Sequence, residues 1–384
     1  MINLKSAPPL SLYIHTPWCV QKCPYCDFNS HAIKDGVPEQ AYLQALLADL
    51  QQDLPRIWGR RVISVFIGGG TPSVLSPDFY YQLFSELRAL LALSGTAEIT
   101  LEANPGTVDA NHFKAYRDAG VNRLSIGIQS FNDEQLQRLG RIHNAAQARK
   151  AIEMARLSGF DNLNLDLMFG LPDQTVEQGL ADIEQALEFQ PEHLSYYQLT
   201  IEPNTYFHHH TPRLPELDTI WEIQSQAQQR LASEGFAQYE VSAYSRNRRE
   251  CVHNRNYWEF GDYLGIGAGA HSKLTDVNRQ AVYRIVKEKH PRDYMRKTET
   301  GSPIISEQSL SRHELSVEFM LNALRLANGF STAIFAERTG LPIAVVEKAL
   351  TDAEQQGYIE WSLDSIKPTE KGQLFLNNLM ELFL

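Results

Sequence analysis

Up to about residue 205 the chain alternates short β-branched apolar runs with longer stretches whose apolar residues recur at helical spacing. The runs predict strands at Ser11–His15, Val62–Ile67, Glu98–Glu102, Arg123–Ile128, Asn162–Leu167 and Leu194–Leu199. Between them, helices are expected over Gln40–Asp53, Pro77–Leu93, Val108–Ala119, Asp133–Leu139, Ala145–Leu157 and Val176–Glu188. Strand and helix repeated in this way call for parallel pairing through right-handed crossovers. Residues 206–304 look irregular, rich in Tyr, Asn, Arg and Gly. From 305 a compact unit follows, with helices at Glu314–Leu326, Ser331–Thr339 and Pro342–Gln356. Two short strands, Tyr358–Trp361 and Ser365–Pro368, and a helix from Glu370 to the end complete a winged-helix-like pattern. The expected organisation is an α/β unit over 1–205, an irregular segment over 206–304 and an α+β unit over 305–384.

Composition narrows this further. With 43% hydrophobic and 21% charged residues in 384, the chain is an ordinary globular sequence and not a disordered one. No apolar run reaches the ~18 residues of a membrane span, and the opening MINLKSAPPLSLYIHTP does not read as a secretory signal. A cytoplasmic location is therefore expected. The net charge of -11 argues against a phosphate-backbone binder. After Ser311, six basic residues face ten acidic ones, so the winged-helix pattern is better read as a packing or protein-contact unit than as a DNA reader.

Three of the four cysteines, Cys19, Cys23 and Cys26, fall in one loop (residues 19–26) directly after the first strand. Thiols so close together in a chain with a large core are poorly placed for disulfides and read as metal ligands. Three thiolates can hold three irons of a [4Fe–4S] cube and leave the fourth open. The alternative is a zinc site completed by His15 or a distant histidine.

The later strands also end in chemistry. The second runs into Gly68-Gly69-Gly70-Thr71-Pro72, where missing Cβ atoms let backbone approach a ligand. The third ends at Glu102 and the fourth at Gln129; Arg141 follows, and the fifth carries Asp166. Each alone is an ordinary strand-end polar group. Together they sit where α/β barrels build their sites.

CxxxCxxC followed by GGGTPS, EANPG, GVNRLSIGIQSF, LGRIHN, NLDLMFGLP and YQLTIEPNT resembles the radical SAM superfamily. Within it, the chain is similar to the branch that holds oxygen-independent coproporphyrinogen III dehydrogenases and heme chaperones. The resemblance covers nearly the whole chain and implies a partial (βα)6 TIM-type barrel. It implies a [4Fe–4S] cluster on Cys19, Cys23 and Cys26, with S-adenosylmethionine (SAM) chelating the open iron. Tyr13, Tyr25, Gly69, Gly70, Thr71, Glu102, Gln129, Arg141 and Asp166 match positions expected around SAM.

Two functions of different class remain within that branch. One is oxidative decarboxylation of coproporphyrinogen III; the other is carriage of heme to acceptor hemoproteins. The dehydrogenases have a fourth cysteine where this chain has Phe28, and an N-terminal arm before the first strand. His253-Asn254-Arg255-Asn256-Tyr257-Trp258 matches the HNxxYW motif associated with the chaperones. An imidazole can ligate heme iron while Tyr257 and Trp258 offer apolar faces, although His253 could equally be a hydrogen-bonded helix start. Cys251 reads as a thiolate ligand or, more simply, as apolar filler. The run His208–His210 reads as a solvated loop, and His271 as a weaker heme candidate than His253. The chaperone reading is preferred, and it leaves catalysis undecided. It implies heme-accepting partners such as respiratory enzymes at the inner membrane, peripheral contact with that membrane, and a homodimer.

Overall fold

The computed structural model describes residues 2–384. Six parallel strands lie side by side in chain order: β1 (Leu10–Thr16), β2 (Arg61–Gly69), β3 (Ala92–Ala103), β4 (Arg123–Gln129), β5 (Leu163–Phe169) and β6 (His193–Gln198). The main crossovers are α1 (Glu39–Asp53), α2 (Pro77–Leu90), α3 (Ala110–Ala119), α4 (Ala145–Leu157) and α5 (Val176–Glu188). Their starts follow from local chemistry: Ser76, Asp109, Asn144 and Thr175 each accept a first-turn amide, and Gln147 and Gln178 close capping boxes. The strands are buried on both faces, as Leu124, Ile126, Leu163, Leu165 and Leu194 illustrate. This is the (βα)6 radical SAM architecture expected.

The segment 206–304 is a correction: it is not irregular. α6 (Leu217–Ser233) leads into β7 (Ala237–Glu240) and β8 (Ala243–Ser245), and β8 pairs antiparallel with β6. α7 (Val252–Trp258) then leads into β9 (Asp262–Ile266), which pairs parallel with β1 from Leu10 opposite Asp262 to Ile14 opposite Ile266. β10 (His271–Asp276), β11 (Ala281–Lys287) and β12 (Ile304–Ser309) extend that edge antiparallel, with α8 (Pro291–Thr300) between the last two. The result is one twelve-stranded sheet, ordered β12-β11-β10-β9-β1-β2-β3-β4-β5-β6-β8-β7.

Buried charge hides these strands from hydropathy. Lys273 on β10 is buried and donates to Asp262 at 2.9 Å, while Arg60 reaches the other Asp262 oxygen at 2.8 Å. Lys287 on β11 is buried between Asp49 and Asp53 of α1. Asp49 also accepts from the Tyr294 hydroxyl (2.7 Å) and the Gly267 amide (3.2 Å). Each buried ion is thus compensated by partners of opposite charge.

The C-terminal unit has its own core around Phe319, Phe335, Leu350 and Ile366, and it seats on Phe260 and Val282. Its order is α9 (Arg312–Ala323), β13 (Phe330–Ser331), α10 (Thr332–Thr339), α11 (Glu347–Gln355), β14 (Ile359–Trp361) and β15 (Ser365–Pro368). The three strands form the wing. The expected terminal helix is broken at Phe375 (φ −107°, ψ 42°) into Glu370–Leu374 and Leu376–Glu381.

Lys287→Met would leave the buried Asp49 carboxylate without a cation, facing an Asp53 that keeps only Arg56, at 3.1 Å. A loss of about 3–5 kcal/mol is expected, read as a lower denaturant midpoint. A midpoint equal to the parent's would show that the triad does not hold α1 to the sheet.

Candidate functional site

The cysteine loop leaves β1 at its carboxyl end. Cys19 is buried on a two-residue strand that pairs with His31–Ala32, while Cys23 and Cys26 are half-buried. All four cysteines are free thiols. Burial pushes the Cys19 and Cys26 thiols up. The Arg141 guanidinium donates to the Cys23 sulfur at 3.4 Å and to the Gly127 carbonyl at 3.0 Å.

His15 is not oriented as a zinc ligand. Its Nε2 donates to the Asn29 carbonyl at 2.8 Å, so Nδ1 accepts from the Tyr13 hydroxyl at 2.9 Å. Both ring nitrogens are committed. Among the described residues, no three His, Cys, Asp or Glu side chains converge as ligands of a single ion. Thiols that each take a separate corner of a cube need no such convergence.

The glycine run is shaped first by the chain itself. A Cβ on Gly70 would lie 2.3 Å from the Trp18 carbonyl oxygen, and Gly69 adopts φ 116° against the His15 ring. The amides are occupied: Gly69 donates to Glu102 (3.2 Å), Gly70 to the Thr16 carbonyl (2.7 Å) and Thr71 to the Trp18 carbonyl (2.7 Å). Burial and the neighbouring Asp166 push Glu102 up to about 8. Asp166 is itself held by Ser125 (3.0 Å) and Asn164 (2.8 Å), with burial raising it.

Gln129 stands at φ 67° beside a register shift between β4 and β5, a costly conformation for a non-glycine residue. Its Oε1 accepts from the Tyr197 hydroxyl at 2.6 Å. Tyr25 packs among Leu139, Met168, Leu199 and Phe207 beneath the cysteine loop.

A cavity of about 940 Å³ opens beside this loop. It brings together Tyr13, Cys26, Gly69 and Glu102 with His253, Tyr257 and Trp258. Cys19, Cys23, Tyr25, Gly70, Thr71, Gln129, Arg141 and Asp166 do not line it; they stand in the loop, turn and strand ends behind its wall. His253 lies against Phe66 (ring centroids 5.1 Å) and Tyr13 (6.2 Å), and its Nδ1 is 3.4 Å from Ser64 Oγ. Burial pushes it down to about 3, so its imidazole is neutral. Trp258 is covered by the Arg325 guanidinium, 4.4 Å from the ring centroid, which ties the motif to the C-terminal unit.

Cys251 is 0% exposed and its thiol is pushed up to about 12, so it is filler at the start of α7 and outside the cavity. His208 and His209 belong to a short exposed helix, Tyr206–His209, not to a loop. His271 is exposed and lines the cavity, as does Phe28, which is 62% exposed.

Two contributors escaped sequence reasoning. Tyr197 could be suspected only as a polar residue next to the end of a strand. Asn29 had a clearer signal, a polar amide three residues after Cys26. Its side chain donates to the Ala268 and Lys289 carbonyls, both at 2.9 Å, stapling the cysteine loop to the cavity wall.

Comparison with known proteins agrees with this geometry. Models of the radical SAM superfamily and of the HemN C-terminal domain match residues 13–186 and 310–375. The heme chaperone HemW of Haemophilus influenzae is 51% identical, with 98% of each chain covered. That of Escherichia coli is 50% identical over 98% of each. The chain belongs to the HemW family of radical SAM proteins. A solved structure of the Escherichia coli coproporphyrinogen III oxidase HemN superposes with a TM-score of 0.83, covering 98% of this chain and 90% of that one. At 24% identity that likeness concerns the fold. Membership of the superfamily implies a [4Fe–4S] cluster and SAM, and three thiols on one loop beside a cavity suit that donor set.

Asn29→Ala should release the staple. Amide hydrogen exchange over residues 267–271 is expected to quicken by about tenfold, the equivalent of one lost hydrogen bond. Unchanged exchange would show that the wall stands without it.

Proposed function

We propose that this chain is a radical SAM-type heme chaperone that binds heme and passes it to acceptor hemoproteins. The observation that carries the reading is the shared cavity, in which Cys26, Gly69 and Glu102 stand on the same walls as His253, Tyr257 and Trp258. Family relatives named heme chaperones, about half identical over nearly full length, support it. When bound, a [4Fe–4S] cluster with SAM on its open iron supplies one-electron reduction of a sulfonium.

Every other role falls to the chain. Cys19, Cys23 and Cys26 would hold three irons, with the Arg141 guanidinium donating to the Cys23 sulfur. Burial favours the protonated Cys19 and Cys26 thiols, so iron binding there would release protons. Carbonyls at Gly69 and Gly70 would meet the ammonium of SAM, and its positive charge would favour ionisation of Glu102 and Asp166, whose carboxyls burial otherwise raises. Tyr13 lines the remaining wall, and Tyr25, Thr71 and Gln129 stand behind it. His253 offers heme iron a neutral imidazole through Nε2, with Ser64 fixing Nδ1. Tyr257 and Trp258 give the porphyrin apolar faces.

The acceptors in this proposal are hemoproteins, respiratory enzymes of the inner membrane among them, met from the cytoplasmic side by a homodimer. Among the described residues no helix is long and apolar enough to cross a membrane.

Anaerobic reconstitution should give about four irons per chain, and none in a variant with all three loop cysteines replaced by Ala. Heme titration followed by absorbance should show one site, with the iron-ligand band shifted or lost in His253→Ala. Absence of heme uptake, or vigorous conversion of coproporphyrinogen III by the purified protein, would overturn the chaperone reading.

A further inference from the structure

The residues around the cavity form two chemically unlike groups. One is aromatic: Phe66 and Tyr13 against His253, and Tyr257 against both Trp258 and Tyr263. The other is basic and is assembled by the cysteine loop. Lys22 follows Cys19 by three positions, and Asn29 draws the Lys289 backbone to the loop. His31 meets His290 edge to face beside it, ring centroids 5.4 Å apart, and His271 stands close enough to lower His15.

The two lysines carry positive charge to the rim without a neutralising partner. The Lys22 ammonium donates only to the Phe28 and Ser30 carbonyls, at 3.0 and 3.5 Å. Lys289 is exposed and lines the cavity. The carboxylate beside it, Glu288, is engaged elsewhere: it accepts from Lys297 at 2.5 Å and from the Lys289 and His290 amides. Asp27 also lines the cavity, and Glu102 lies deeper, at Gly69. Neither forms an ion pair with a lysine among the described residues.

A ligand that suits both groups is a flat apolar disc with carboxylates on one edge. We propose that Lys22 and Lys289 form a carboxylate site at the cavity rim that takes the two propionates of a bound heme. This rests on the heme-carrying reading. It fixes the orientation of the disc, propionates outward at the rim and the apolar edge inward against Tyr257 and Phe66. It also defines a selectivity. A tetrapyrrole with carboxylates around its whole perimeter, such as a coproporphyrin, would press two of them against the rings of Tyr257 and Phe66, away from Lys22 and Lys289. Burying a charge there is costly, so the cavity prefers heme.

The test is an equilibrium titration of the full chain with ferric heme and with ferric heme dimethyl ester in the same detergent. The parent should bind heme about tenfold more tightly than the diester. Lys289→Glu should weaken heme binding by about tenfold at low salt while moving diester binding less than about twofold; Lys289→Arg should restore it. Because Lys289 is exposed, these variants should keep the parent's melting temperature. Equal binding of heme and diester by the parent, or equal weakening of both by Lys289→Glu, would overturn the carboxylate site and leave the heme reading intact. Uptake of neither ligand by the parent would overturn both.

Discussion

The parallel pairing of β9 with β1 is the constraint on which the site depends. Without it, the six-stranded unit would end at the strand that launches the cysteine loop, and that loop would have no neighbour on its outer side. With it, α7 arrives over Ser11 and Ser64 of the sheet, where Asn256 donates to Ser11 and to the Asp262 carbonyl, both at 3.0 Å. His253 therefore reaches the cavity on a helix anchored to the same strand as the cysteines. The glycine-rich turn after β9 is fixed in the same way: the Tyr42 hydroxyl donates to the His15 carbonyl at 2.6 Å and accepts from the Ala268 amide at 3.1 Å.

Much of this was legible in the sequence. Six apolar runs separated by amphipathic helices announced the parallel core, because burial on both faces leaves a continuous apolar stretch. The cysteine spacing announced a metal loop, and the strand-end polar residues announced a site. The outer strands stayed hidden for a physical reason. β10 reads HSKLTD, yet Ser272, Lys273, Leu274 and Thr275 are all buried. Its lysine is neutralised by an aspartate eleven positions earlier, and no hydropathy pattern reveals such a pairing. β11, AVYRIVK, is rich in β-branched and aromatic residues, and that signal could have been taken.

The glycine run shows a different limit. A turn without side chains was read as room for a ligand, and the closest approach is instead the crossing of the cysteine loop over the turn. Both needs can share one glycine, and a sequence does not separate them. Arg141 makes the same point: its charge was evident, while its partner was a matter of three-dimensional proximity to Cys23.

The β1–β9 pair also sets a timetable for synthesis. β1 is the first strand to leave the ribosome, whereas its outer neighbour follows about 250 residues later, a delay of roughly 10–50 s at 5–20 residues per second. Through that interval one edge of the growing sheet has unpaired amides and carbonyls beside three reactive thiols. The strand that completes the site is thus also the one that ends the nascent chain's exposure to mispairing.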